Sequence, residues 1–311
     1  MSDPRVGIIL VNWNGYDDTA ACLQSLRAQR YPNANIYLVD NGSQNNEGQR
    51  LAAAFPEVAL LLNRENLGFT GGNNAGIRRA LQDGAAYVLL LNNDTVVDPD
   101  FLVHLVAFLA SRPAAGIAGS KILYHDTRTI WFAGGYLQYW TGFARHMAKG
   151  MPDAQYTRRA AFDVPFVTGC CLLVRREVIE RIGPLHDAYF AYFEDVDWCF
   201  AARQAGWSSW VVPTSILWHK KGGSGATRGT NRLSPTQAYY QARNAFIFAR
   251  RQLRGFRKWI FIVAQCVVRL PMNLLYCMDS AARRSYLRGF HEGFSSSPSS
   301  GSDIPPLHTS R

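Results

Sequence analysis

The sequence has few cysteines and no C-x-x-C pair. This arrangement argues against a zinc ribbon, a thioredoxin-like redox site and a disulfide scaffold, and it favours reduced thiols in a cytosolic protein. The six scattered cysteines are Cys22, Cys170, Cys171, Cys199, Cys266 and Cys277.

Two phosphate-binding signatures and an export signal are also missing. No G-x-x-x-x-G-K-[ST] run occurs, and the stretch GFTGG at residues 68–72 does not match G-x-G-x-x-G. A P-loop NTPase and an ordinary dinucleotide-binding domain are therefore not indicated. The opening MSDPRVGIIL lacks a basic region followed by a cleavable apolar run, so we expect no export through a signal peptide.

Acidic residues are scarce in one segment. The chain carries 33 Lys and Arg against 23 Asp and Glu, a formal charge of +10. Residues 243–288 hold ten basic residues and the single acid Asp279, so almost all of the excess lies there. This indicates an anionic partner: a nucleotide, a nucleic acid or an acidic membrane surface. We predict a globular domain over 1–234, a basic helical region over 235–294 and a disordered tail over 295–311.

The 311 residues, 48% of them hydrophobic, suffice for a large α/β domain. Apolar runs alternate with helical spacing, which predicts a mostly parallel central sheet covered by helices on both faces. Aromatic alternation over 131–143 then predicts hairpin strands or a flap, and glycine-rich 219–234 a mobile loop. Predicted strands are 6–11, 36–39, 58–62, 86–91, 117–123, 166–174 and 207–212; predicted helices are 15–29, 45–54, 70–82, 99–110, 175–182, 194–205 and one capped by Ser234-Pro235.

Polar clusters follow the first four predicted strands. They are NWNG at 12–15, DNGS at 40–43, NREN at 63–66 and NND at 92–94. Turn residues end many strands, which explains any one cluster. Because the carboxyl ends of parallel strands share one edge, four such clusters favour a polar ligand there.

Three further groups suggest chemistry. Asp94 suits Mg²⁺ or Mn²⁺, although a helix-entry turn also explains it. Glu194, Asp195 and Asp197 stand behind an aromatic run, where a raised pKa suits a general base, although acids also favour helix N-termini. His219 followed by two lysines and glycines suits a metal or a diphosphate, although a lone histidine is often structural.

Taken in order, several motifs resemble glycosyltransferase family 2, the inverting enzymes of GT-A fold, and most closely the bacterial rhamnosyltransferase-like group that builds cell-surface polysaccharides. The resemblance covers roughly residues 5–250. It is carried by VGIILVNWNG, VDNGS, NRENLGFTGGNNAGI, LLLNNDT, TGCCLLVRREVIERIG, FEDVDWCFAARQAGW, WHKKGGS and YYQARN.

The resemblance implies a nucleotide-sugar donor lying across the strand ends. The motif at 92–94 stands where the family has D-x-D, with an asparagine in place of the first acid, so Asp94 is implied as the main carboxylate ligand of Mg²⁺ or Mn²⁺ and His219 as a further one. The residues implied to border the donor are Asn12, Asp40, Asn66, Gly68, Asn73, Asn92, Asn93 and Lys220.

The resemblance also implies a single inverting displacement. Asp195 corresponds to the base that deprotonates the acceptor hydroxyl, while Glu194 and Asp197 support acceptor placement and base orientation. We expect L-rhamnose from dTDP-rhamnose as the transferred sugar, with another hexose or an N-acetylhexosamine as alternatives. The expected acceptor is a glycan or lipid-linked glycan.

The basic region contains an apolar run over 259–278, long enough for a bilayer at about 30 Å. Polar residues interrupt it, so an interfacial helix on anionic lipid is favoured over a core or homodimer helix and over a span. We therefore expect a cytoplasmic protein, peripheral on the inner face of the cytoplasmic membrane. The interruptions are Gln265, Arg269, Pro271 and Asn273.

Three other functions stay open on the sequence. A nucleotidyltransferase-like enzyme would use a similar sheet but needs no acceptor alcohol. A basic nucleic-acid binder would use the positive segment, although its aromatic residues stand at apolar helical spacing, which favours burial over base stacking. A family member that binds donor without turnover is suggested by Asn92.

Overall fold

The computed structural model describes residues 3–220, 233–277 and 279–295. The expected mostly parallel sheet is confirmed. The strands are β1 Val6–Asn12, β2 Ala34–Asn41, β3 Ala59–Asn63, β4 Tyr87–Leu91, β5 Thr95–Val97, β6 Ala115–Tyr124, β7 Ile130–Phe132, β8 Gly135–Gln138, β9 Phe143–His146, β10 Phe162–Val164, β11 Cys171–Arg175 and β12 Ser208–His219. The main path of the sheet runs β10-β12-β6-β11-β4-β1-β2-β3, with β5 added beside β12 and β7 beside β6.

Helices connect and cover these strands. Strands β1 to β4 pair in parallel, whereas β11 runs antiparallel between β4 and β6. The helices are α1 Tyr16–Leu26, α2 Glu47–Ala54, α3 Gly68–Gln82, α4 Phe101–Ser111, α5 Arg176–Ile182, α6 Glu194–Gln204, α7 Pro235–Gln252, α8 Gly255–Ala264, α9 Leu270–Met272 and α10 Ser280–Ser295.

The main core lies between the sheet and the helices that cover it, where apolar side chains of both are buried. Every residue of β4 is buried, as a central parallel strand requires. Helix α3 packs closely on β1 at Gly76, where an added Cβ would stand only 2.5 Å from Ile9. The close approach fixes the N-terminus of α3 at the carboxyl edge of the sheet.

Several predicted boundaries are wrong. Helix α4 begins at Phe101 after Asp100, not at Pro99, and the strand predicted over 166–174 is confined to Cys171–Arg175. The strand predicted to stop at 212 continues to His219, because β12 pairs with β6 and β5 across a bulge. Of the loop predicted over 219–234, residues 221–232 lie outside the described residues. The tail predicted from 295 lies outside them beyond Ser295.

The aromatic hairpin is confirmed, since β8 and β9 pair antiparallel. Helix α7 begins at Pro235 with Ser234 as its N-cap, as predicted, and the side chains of Ser234 and Gln237 form a capping box by hydrogen-bonding each other's backbone. Phe248 and Ala249 of α7 are buried in the same core as the sheet, so this helix packs on the globular domain. The boundary at 234/235 stays a prediction.

The predicted helix over 259–278 is segmented. After α8 come a π-helical stretch Gln265–Arg269, the short α9 and a second π-helical stretch Asn273–Cys277. Within the described ranges, Gly255–Leu275 is the one helical stretch whose 21 residues and mean hydropathy of 1.3 match a membrane-crossing helix by length and composition. Helix α10 folds back along α7, where Glu292 accepts a hydrogen bond from Tyr239 and pairs with Arg243.

Candidate active site

The polar clusters predicted from the strand ends do meet at one edge of the sheet. The parallel register places Asn12 of β1 beside Asp40 of β2, and Asn41 beside Asn63 of β3. Strand β4 pairs with β1 on the other side and leads into Asn92. The carboxyl ends of four strands therefore form one polar margin.

Two of the residues predicted to border the donor, Asn12 and Asp40, use their side-chain polar atoms in hydrogen bonds to other residues of the protein. Asn12 is fully buried; its amide nitrogen donates to Ser43 and Glu47, and its oxygen accepts from Thr19 at 2.7 Å. Asp40 accepts from the backbone nitrogens of Ser43 and Gly48. Both side chains thereby order the turn after β2.

An asparagine network shapes the next loop. Asn41 donates to Asn66 at 2.9 Å and to the carbonyl of Gly68, and its oxygen accepts from Asn63. Asn66 in turn accepts from the nitrogen of Gly68 at 2.8 Å. Asn41 was not among the residues predicted to border the donor. The sequence feature that could have indicated its role is its place in the polar cluster that follows β2; the structure shows that Asn41 is buried there.

Helix α3 begins against the loop that carries the acidic cluster. Gly68 has φ +71°, and a Cβ there would collide with the backbone oxygen and ring of Phe190. The nitrogen of Thr70 also donates to that oxygen at 3.2 Å. Asn73 donates to the carbonyl of Phe69 one turn earlier and is buried. Gly68 and Asn73 thus support the first turn of α3.

The turn at 92–94 is held from three sides. The backbone nitrogen of Asn92 donates to the carbonyl of Cys170 at 3.0 Å, and its own carbonyl accepts from the hydroxyl of Thr95 at 2.7 Å. The amide of Asn93 donates to Thr19 at 2.8 Å. The turn therefore presents Asp94 from a fixed backbone.

Asp94 and His219 are brought together by the sheet. Strand β5 follows Asp94 directly and pairs antiparallel with the end of β12, with Thr95 opposite His219. Nε2 of His219 lies 3.1 Å from Oδ1 of Asp94, and both side chains are largely buried. The His219 ring also packs on Trp131, with centroids 4.5 Å apart.

The pair fits a divalent cation. Oδ1 of Asp94 is buried and, apart from its approach to Nε2 of His219, has no hydrogen-bond partner in the described part of the chain. Neighbouring octahedral ligands with bonds of about 2.1 Å stand about 3 Å apart, which matches the observed separation. No group of three or more His, Cys, Asp or Glu suited to a metal occurs among the described residues. Two protein ligands leave positions for phosphate oxygens or water.

Lys220 follows this pair directly. Its backbone nitrogen donates to the carbonyl of Asp94 at 2.8 Å, and its ammonium group lies 3.3 Å from Asp18 on α1. The positive charge of Lys220 therefore lies at the same strand-end margin as Asp94. Lys221, which the sequence analysis placed in the same loop, lies outside the described residues.

The three acids at the start of α6, Glu194, Asp195 and Asp197, occupy different environments. Asp195 accepts from the backbone nitrogens of Gly169 and Val196, both at 2.8 Å, while burial raises the pKa of its carboxyl. Glu194 is buried, and one of its oxygens has no partner within the described residues. Burial and the charge of Asp195 raise the pKa of Glu194 well above its usual range. Asp195 is therefore the more readily ionised of the two.

Asp197 is turned away from this pair. It accepts from the hydroxyl of Tyr189 at 3.0 Å and forms an ion pair with Arg251 of α7, also at 3.0 Å. It is almost fully buried. These contacts anchor α6 to α7, so Asp197 orients the helix that carries Asp195.

The metal-suited pair and the candidate base are linked through one short segment, Gly169–Cys170. Asn92 is bonded to Cys170, and the preceding Gly169 is bonded to Asp195. The charges of both Asp94 and Asp195 contribute, after burial, to raising the pKa of the Cys170 thiol. Both carboxylates therefore lie within electrostatic reach of one buried residue.

Helix α7 supplies a residue that the sequence analysis did not assign. Asn244 is fully buried and donates to the carbonyl oxygens of Ala191 and Tyr192, both at 2.8 Å. Tyr192 and Phe193, which lead into the acids, both have left-handed backbones, with φ of 71° and 74°. Asn244 is the last residue of the motif YYQARN, which the sequence had already marked, but nothing in the sequence indicated which backbone carbonyls its side chain would bond.

Comparison with known proteins identifies the family. Residues 4–244 match the family described as "Glycosyltransferase like family 2". The chain belongs to this family. Among its relatives is the N-acetylglucosaminyl-diphospho-decaprenol L-rhamnosyltransferase of Mycobacterium tuberculosis, 27% identical over 68% of this chain and 74% of that protein. The O-antigen biosynthesis protein RfbC of Myxococcus xanthus is 31% identical over 62% of this chain and 16% of its own length. An uncharacterised Sinorhizobium fredii protein, y4gI, is 29% identical over 71% of this chain and 25% of its length.

These relatives confirm the resemblance of this family 2 glycosyltransferase to the rhamnosyltransferase-like group. Solved structures confirm the GT-A fold. A mannosyltransferase from Pyrobaculum calidifontis, in complex with GDP-Man and Mn²⁺, superposes with a TM-score of 0.58 over 93% of this chain and 74% of that one at 18% identity. GalNAc-T7 with UDP, GalNAc and Mn²⁺ superposes with a TM-score of 0.60 over 76% of this chain and 47% of that one at 16% identity. The roles of individual residues stay predictions.

Proposed function

We propose that this glycosyltransferase transfers L-rhamnose from dTDP-rhamnose to a hydroxyl of a lipid-linked glycan, with inversion and with Mg²⁺ or Mn²⁺. The observation that carries the reaction type is the facing pair of Asp94 and His219 at the strand-end margin, which the Gly169–Cys170 segment links to Asp195. The choice of rhamnose and of a lipid-linked acceptor is supported by the name of the mycobacterial relative.

Asp195 serves as the base in this proposal. Its carboxylate takes the proton from the acceptor hydroxyl while that oxygen bonds to the anomeric carbon, and the bond from that carbon to the diphosphate breaks on the opposite face. The two backbone donors to Asp195 hold its oxygens in place. Glu194 stays protonated beside it, because burial disfavours its ionised form and the charge of Asp195 repels a second negative charge.

Asp94 and His219 hold the divalent cation, which neutralises charge on the departing diphosphate when it is bound. Lys220 adds positive charge at the same margin. Asn12, Asp40 and Asn66 act by shaping the two loops that border the donor, since their polar atoms are engaged within the protein.

The proposal is tested first by thermal stabilisation with a panel of nucleotide sugars, with and without Mn²⁺ or Mg²⁺. A metal-dependent shift with dTDP-rhamnose is expected. The strongest shift with a hexose or N-acetylhexosamine donor would replace the donor assignment. Family membership gives no support to a nucleotidyltransferase. Formation of a glycosylated product would decide against that activity and against a family member that binds donor without turnover.

The base assignment is tested with Asp195→Asn. This variant should keep the donor-induced thermal shift and lose turnover by about a thousandfold, within the range that general base catalysis supplies. Full activity in Asp195→Asn would remove the base assignment.

A further inference from the structure

The helical segment after α7 has its polar side turned inward. Gln265 and Asn273 are almost fully buried, and Arg269 is 9% exposed. Gln265 donates to the carbonyl of Gly142 in the β8–β9 turn at 2.9 Å, and the guanidinium of Arg269 lies 3.9 Å from the ring centre of Phe143. Two of the polar residues that interrupt the apolar run, Gln265 and Arg269, are therefore contacts to the catalytic domain.

The opposite side of the same segment is apolar and exposed. The row of residues 259, 263, 267, 271 and 275 repeats every four positions, because π-helical turns hold more residues than α-helical turns and extend the average repeat. Exposed fractions along the row are 64% for Trp259, 52% for Val263, 64% for Val267 and 66% for Leu275, and Pro271 is also exposed. We call these five residues the apolar row.

Such an arrangement is the inverse of an ordinary surface helix, which turns its apolar stripe to the core. A contiguous exposed apolar surface marks a site for a protein or a membrane. Charges decide between the two. Arg254 and Arg257 are exposed at the start of α8, and Arg283 and Arg284 are exposed on α10, so cations flank the row at both ends.

We propose that the apolar row lies in the plane of an anionic bilayer, with its side chains in the boundary between headgroups and acyl chains and the flanking arginines on the lipid phosphates. A membrane-crossing orientation would strip Gln265 and Arg269 from their protein contacts and place them in hydrocarbon. Trp140, 72% exposed beside the tethered Gly142, extends the docking surface to the β8–β9 hairpin.

This inference goes beyond the proposed function, because docking requires neither donor nor acceptor. It also implies that the β8–β9 hairpin faces the membrane. His146 of this hairpin packs on Trp131, the ring that contacts His219, so an acceptor held in the bilayer reaches the protein from that side.

The test is co-sedimentation of the full chain with vesicles, without substrates. We expect binding to phosphatidylglycerol-containing vesicles and weak binding to pure phosphatidylcholine. Val267→Asp should reduce binding by about tenfold or more, because it places a charge in the row. Arg254→Gln and Arg257→Gln should each reduce it by about fivefold, with the loss shrinking in high salt.

The matched control is Met151→Asp, which adds the same charge at a residue 40% exposed outside the apolar row. It should bind vesicles like the wild type. Circular dichroism and sedimentation velocity accompany each variant. Unchanged vesicle binding by folded Val267→Asp would overturn the proposal. So would a lipid-free dimer that this variant dissociates, or tight oligonucleotide binding with no vesicle binding.

A failure of vesicle binding leaves the proposed function separately testable, because turnover with a water-soluble acceptor does not depend on docking. If docking is correct, Val267→Asp keeps that turnover and loses activity only on an acceptor embedded in vesicles.

Discussion

Asn244 of α7 donates a 2.8 Å hydrogen bond to the carbonyl oxygen of Tyr192, and a second one of equal length goes to Ala191. The bonded backbone then passes through two left-handed residues into Glu194 and Asp195. A left-handed conformation costs a non-glycine residue about 1 kcal/mol or more, so external contacts must hold it. Asn244 is therefore a positioning residue for the candidate base.

Asn244→Ala should remove this support. We expect a loss of about 2–3 kcal/mol in the free energy of unfolding, because two part-buried carbonyls lose their partner. We expect kcat to fall by about tenfold or more with little change in donor KM, since a small displacement of the base impairs only the chemical step. The acid limb of the pH–rate profile should also move, because the surroundings of Asp195 change.

The control is Asn74→Ala on α3. Asn74 is also buried and donates to the carbonyl of Leu185 and to Asp187, upstream in the same loop. It should lose similar stability but keep the pH profile. Equal profiles for both variants would reduce Asn244 to a purely structural role.

Glu194→Gln should change how stability depends on pH. Burial and the charge of Asp195, with a smaller contribution from Asp197, raise the pKa of Glu194 in the folded protein. Ionisation is therefore easier in the unfolded chain, and wild-type stability declines as pH rises above the ordinary glutamate value of about 4.3. The melting temperature of Glu194→Gln should approach that of wild type near pH 4 and exceed it increasingly toward about pH 8.

Glu180→Gln supplies the comparison, because Glu180 is exposed and pairs with Arg176 on α5. Its melting temperature relative to wild type should not rise with pH. A pH-independent difference for Glu194→Gln would show that the Glu194 carboxyl is not held in its neutral form.

Gly68→Ala should disrupt the contact between α3 and the acidic loop. The substitution brings a left-handed alanine and a Cβ that meets the Phe190 backbone. Gly84 has a similar φ of +83°, but its nearest neighbour is the end of Arg5 at 3.7 Å. Gly84→Ala should cost about 1 kcal/mol and spare activity, whereas Gly68→Ala should cost about twice that and lower kcat. Chemical denaturation with parallel rate measurements separates these outcomes; equal costs would contradict the contact.

Asp94→Ala and His219→Ala should weaken metal-dependent nucleotide binding. Each removes one of two protein donors that face each other at 3.1 Å. We expect the apparent Kd for Mn²⁺ with a nucleoside diphosphate to rise by about tenfold or more, seen as a smaller thermal shift. His104→Ala, on α4, should retain the wild-type shift. A full shift in both site variants would exclude this pair as the metal ligands.

Much of the architecture was predictable from sequence because local pattern and burial agree in the first half of the chain. The apolar runs of β1 and β4 are continuous, as strands covered on both faces require, and the polar residues after them mark the ligand edge. Boundaries failed where pairing with distant strands decided them. His219 belongs to β12 because β5 and β6 extend that strand, which no local pattern revealed.

Residue patterns alone established the α/β class, the order of the motifs and the candidate acids at 94 and 194–197, because periodicity and residue chemistry are local properties. The folded chain was needed to show that Asp94 meets His219 across 125 residues, that Asn244 holds the turn before Asp195, and that Gln265 and Arg269 face the protein. These relationships depend on which distant backbones pack together, and packing is set by the whole core.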